Sequence, residues 1–154
     1  METNKNIEPR IDIDDYLEKP YWVVDILPRQ VPPNANGQFF RIEDYLLKHP
    51  QIDAIYKKFF HILLKLNCYD DMAYGQNGEN WSMNPSPQDV ERMMTCCMQE
   101  KSMLYVWMAS SRALIVLSPD DTHLTVYSPT KEVLELLGAL AAAEGLFVWK
   151  PCVM

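Results

Sequence analysis

Ile52, Ile55, Tyr56, Phe59, Ile62, Leu63 and Leu66 recur at intervals of three and four residues, which predicts a helix over 50–66. Phe60 and Leu64 widen the stripe to about half the circumference, more than a surface helix shows. This helix should therefore be the central packing element. Pro50 suits its first turn. Its polar strip holds Asp53, Lys57, His61 and Lys65. A second helix is predicted from Ser86, because Ser86-Pro87-Gln88-Asp89 supplies an N-cap, a proline at N1 and an acid at N3. Val90, Met93, Met94, Cys97 and Met98 form its inward stripe. A third runs from about Thr130 to Glu144, with Val133, Leu134, Leu137, Leu140 and Ala141 inward and Gly145 as the stop. Two shorter stretches, IDDYLEKP at 13–20 and IEDYLLKHP at 42–50, each predict one or two helical turns. Their likeness is too short to signal a repeat architecture.

Other segments are β-branched and aromatic and suit strands: YWVVDIL (21–27), MLYVWMA (103–109), ALIVLS (113–118), HLTVYS (123–128) and LFVWK (146–150). Residues 110–112 and 119–122 read as hairpin turns. The strands at 103–109 and 113–118 are apolar on both faces and should lie centrally. HLTVYS alternates, as an edge or half-exposed strand does. PRQVPPNANG, 28–37, carries three prolines and a glycine and predicts an irregular loop. The strand–helix–strand order at the C-terminal end favours a right-handed crossover and a parallel neighbour. The expected fold is α+β. Residues 1–154 form a single globular domain, with a mixed sheet of about five strands and three main helices packed on it. Residues 1–9 are polar and are expected to be loosely ordered.

Charge changes the picture more than composition does. The net charge of −7 argues against nucleic acid or an anionic membrane as partner, since both need basic surface. It permits a basic protein partner, though many acidic proteins have none. No segment approaches the roughly 18 consecutive apolar residues of a membrane span, and the start lacks the pattern of a secretory signal. Cys68, Cys96, Cys97 and Cys152 fit no zinc spacing and no disulfide framework. Reduced thiols and a cytoplasmic location are expected.

Signatures of catalysis are missing: no GxSxG, HExxH, P-loop or GxGxxG occurs. His61 shares a polar strip with Lys57 and Lys65, which suits neither a metal site nor a general acid. His49 sits at a helix junction. His123 follows Asp120 and Asp121, which a Pro-Asp turn explains without an ion. Cys96, Cys97 and three nearby methionines resemble a soft metal site in composition, but the helical stripe explains them as core. Asp25 interrupts an apolar strand face. It is either a functional carboxylate or a strand-end group bonded to backbone N–H.

The stretch CYDDMAYGQNGENWSMNPSP, 68–87, fits neither helix around it. It reads as a connection of roughly 19 residues, and loops of that length are often functional. An EF-hand spacing fails from Asp70 or Asp71. Its tyrosines and tryptophan are the types enriched at interface hot spots, and Asn and Gly add adaptable hydrogen bonds. Tyr69, Asp70, Asp71, Tyr74, Glu79 and Trp81 are thus the candidate partner-binding residues; the alternative is that Trp81 and its neighbours form a short strand or plug a core gap. The expected function is a non-enzymatic acidic protein-binding module, comparable in charge and size to inhibitor or immunity proteins that mask a basic partner. It would use residues 69–81 and the loop 28–37, with no cofactor and no metal. The alternative is a small-ligand binder or hydrolase-like enzyme with a carboxylate-lined pocket near Asp25, Asp70 and Asp71.

Overall fold

A computed structural model describes residues 11–152. The stretch 1–9, expected to be loosely ordered, lies outside that span. Five helices and seven strands follow in chain order among the described residues: α1 (Ile13–Tyr16), β1 (Tyr21–Asp25), α2 (Asn36–Leu46), α3 (Gln51–Leu66), β2 (Met72–Gln76), β3 (Glu79–Met83), α4 (Pro87–Glu100), β4 (Leu104–Met108), β5 (Leu114–Leu117), β6 (His123–Tyr127), α5 (Lys131–Ala143) and β7 (Phe147–Trp149). The α+β class stands, but five helices are present where three main ones were expected. The strand count and the mixed sheet do not stand. The strands form one sheet in the order β3-β2-β4-β5-β6-β1-β7, and every neighbouring pair is antiparallel.

The expected parallel pair fails for a specific reason. β6 and β7 do run in the same direction on either side of α5, as a strand–helix–strand unit should. But β1 inserts between them and pairs antiparallel with both. β6 is therefore an interior strand, and its alternating burial reflects one open face, not an edge. The edges are β3 and β7. β5 is central and buried on both faces, as its sequence predicts.

One face of the sheet carries Met72 and Tyr74, Val106 and Met108, Ile115 and Leu117, Leu124 and Val126, and Val24. These pack with α3, α4 and α5 in a single core. α3 buries the seven residues of its predicted stripe, Ile52 through Leu66. Ser86 and Thr130 cap α4 and α5 by accepting from the N–H of Asp89 and Val133. α1 lies on the other face. There the Tyr16 hydroxyl donates to the Arg112 carbonyl at 2.7 Å and accepts from the Trp107 indole at 3.2 Å.

α2 begins six residues before the predicted 42. Pro32 and Pro33 precede it, where proline is compatible with helix entry, so they do not break it. Gly37 costs such a helix about 1 kcal/mol, which the partial burial of Phe39, Leu46 and Leu47 offsets.

Candidate functional site

The segment 68–84, expected to be a connection, is built into the sheet. Gln76 pairs with Glu79 across a two-residue turn, Asn77-Gly78, with φ of 54° and 74°. Positive φ at both positions is the I′ geometry that matches strand twist, and Asn-Gly is its preferred sequence. Asn77 also exchanges hydrogen bonds with Met103, at 2.8 and 3.2 Å. A Cβ on Gly78 would stand 2.5 Å from the Ile13 Cδ1, so α1 closes over the turn.

This hairpin disperses the six candidate residues. Tyr69 is 71% exposed, just after α3. Asp70 accepts from the Ser110 N–H at 2.9 Å, the Ser111 N–H at 3.1 Å and the Ser111 hydroxyl at 2.9 Å. Burial pushes its carboxyl up, but these bonds outweigh that and hold it below the ordinary range. Asp71 accepts from the Asn84 amide at 3.0 Å, and the Asn84 oxygen accepts in turn from the Met72 N–H and the Asn67 amide, both at 2.9 Å. Asp70 and Asp71 therefore brace the entry to β2. Tyr74, expected on a binding surface, is fully buried in the core, and its hydroxyl has no hydrogen-bond partner among the described residues. Trp81 is half-buried on the opposite face, its ring against Gly75, where a Cβ would meet it at 2.8 Å. Glu79 is exposed at the far end of the hairpin, roughly 17 Å along β2 from Asp71. Tyr69, Asp70 and Asp71 cluster; Tyr74, Glu79 and Trp81 do not join them.

Asp25 is 6% exposed and ends β1. Burial pushes its carboxyl up; His123 and the N–H groups of Leu27 and Ile26 oppose that shift. It is a strand-end carboxylate, and it is also buried. β1 and β2 run in the same direction, so the end of β1 and the start of β2 are at opposite ends of the sheet. Asp25 shares no pocket with Asp70 and Asp71. A cavity of about 750 Å³ beside Tyr69, Asp70, Ser111 and Lys131 does contain Asp70, but with its oxygens already engaged.

His61 faces Glu144 at 3.5 Å, and His49 faces Asp53 at 2.8 Å. Among the described residues no group of three or more His, Cys, Asp or Glu is placed to hold a metal ion. The four cysteines are unbridged. No helix among the described residues is long and apolar enough to cross a membrane.

The largest exposed apolar side chains outside Tyr69 lie on α2. Phe40 and Tyr45 are each 59% exposed and Ile42 is 50% exposed. Phe39, Ile42 and Leu46, spaced three and four apart, face residues 26–31 across a cleft of about 220 Å³. Ile26, Leu27 and Val31 form the other wall. Among the described residues Glu43 is the only charged one lining it. Its carboxyl is raised by burial first, then by Asp121 and Asp25, against a lowering by His123. Sequence reasoning missed these α2 residues. The signal was present as a helical period starting at Phe39, but the prolines before it made 28–37 read as loop throughout.

The chain matches no family model, and no curated protein or solved structure matches it significantly.

Proposed function

We propose that this chain is a non-enzymatic acidic protein-binding module, of the inhibitor or immunity type, that masks a basic partner. The observation that carries the reading is the exposure of Phe40, Ile42 and Tyr45 on one short helix beside an apolar cleft. Ile42 and Tyr45, three residues apart, share one flank of α2 beside the cleft and Phe40 stands on the other flank, and exposed apolar surface around a cleft marks interaction sites. Aromatic residues supply most of the energy at such sites. The net charge of −7 supports a basic partner, because complementary charge speeds encounter and rejects acidic competitors. The binding surface in this reading is 26–46, which includes the loop 28–37, and not the hairpin.

Tagged protein should capture a partner of basic isoelectric point from a native cell lysate, identified by mass spectrometry. The double variant Phe40→Ala, Tyr45→Ala should lose it. Absence of any captured protein, or an acidic partner held equally by both, overturns the proposal.

A further inference from the structure

Building on the protein-binding reading, we propose that the cleft between α2 and residues 26–31 receives one aliphatic or aromatic side chain of the partner, on a segment where lysine or arginine flanks that anchor. Size argues first. At about 220 Å³ the cleft lies below the roughly 300–1,000 Å³ of small-molecule sites, and it suits a single side chain. Lining argues next. Its walls are Ile26, Leu27, Val31, Phe39, Ile42 and Leu46, and no cation lines it. An apolar anchor fits such walls, and an acidic head among them would meet only Glu43, a like charge.

Charge then selects the flanks. Glu43 and Thr122 both line the cleft, Asp121 precedes Thr122 in the chain, and Asp25 ends β1 opposite His123, so acids gather at the Thr122 end of the cleft. His123 opposes their charge only in part. Asp120 stands exposed in the same turn. Of the cations on and just after α2, Lys48 is paired with Asp44 at 3.4 Å and Arg41 is exposed. A cation brought beside the anchor relieves the mutual repulsion of Asp25, Glu43 and Asp121, and an acid there adds to it. Phe40 and Tyr45, exposed on the same helix, extend the contact beyond the cleft.

The test uses random dodecapeptides displayed in a library and selected on the immobilised chain. Wild type should enrich peptides with a large apolar residue within two positions of lysine or arginine. A selected peptide should bind Ile42→Asp at least about tenfold more weakly, the scale of a lost interface anchor. Glu43→Lys should lose the basic preference and keep the apolar one. Both variants alter exposed or half-exposed positions, and an unchanged urea midpoint verifies their fold. Enriched peptides lacking either feature, binding indifferent to Ile42→Asp, or no enrichment at all overturns the inference. If a lysate partner is captured but Ile42→Asp still holds it, the cleft assignment falls while the protein-binding reading stands. If no partner is captured, that reading falls too.

Discussion

The hairpin 68–84 and the segment 26–46 look alike in sequence: both are aromatic, polar and marked by turn residues. In the fold they differ in what their aromatic side chains touch. Tyr74 is sealed in the core and Trp81 lies against Gly75. Asp70 and Asp71 are spent on bonds that brace the entry to β2. On α2, by contrast, Phe40, Ile42 and Tyr45 stand in solvent. The lesson is that an aromatic, acidic composition marks a binding surface only where the backbone leaves the side chains unpacked. A two-stranded hairpin joined to a sheet consumes one of its faces in the core; a helix lying across the sheet's end can leave one free.

The sharpest way to break this contrast is in the core. Tyr74→Ala should lower unfolding free energy by about 3–5 kcal/mol, as truncating a buried aromatic does. A shift of the urea midpoint corresponding to less than about 1 kcal/mol would mean the hairpin is detachable and its aromatics free to bind.

Asp70→Asn should come next, at about 1–2 kcal/mol near neutral pH, because one amide oxygen must replace a charged acceptor of three hydrogen bonds. The carboxyl is held low in the folded state, so its contribution is present above the unfolded pKa, near 4, and is lost as pH falls through the folded value. The difference between wild type and variant should shrink in acid melts. A difference constant from neutral pH down to pH 2 would show that Asp70 acts by shape and not by charge.

The helical stripe of α3 and the cap at Ser86 were legible because each rests on local periodicity or a local hydrogen bond. The antiparallel order was not, since nothing near 21–25 records that β1 enters between β6 and β7. The hairpin was legible in principle: Asn77-Gly78 is the strongest short-range turn signal, and the acids around it drew the reading elsewhere. The burial of Tyr74 was not, because alternation in MAYGQ does not say which face meets the core. At the α2 cleft, Phe39, Ile42 and Leu46 show a helical period, yet their facing wall comes from residues 26–31, whose approach is tertiary.

The smallest expected effect is also the one that separates the two regions most directly. Phe40→Ala and Tyr45→Ala should each change unfolding free energy by less than about 0.5 kcal/mol, as surface substitutions do. Both rings are more than half exposed, and neither is among the side chains packed against the core. Truncation therefore opens no cavity and strands no polar group. The Phe39 ring, centred 5.7 Å from that of Phe40, keeps its place against the cleft. Urea melts of the two single variants beside Tyr74→Ala give the comparison in one experiment. A loss of about 2 kcal/mol or more at either position would mean that α2 uses these rings to hold itself to the fold, and the exposed surface on which the binding proposal rests would be structural instead.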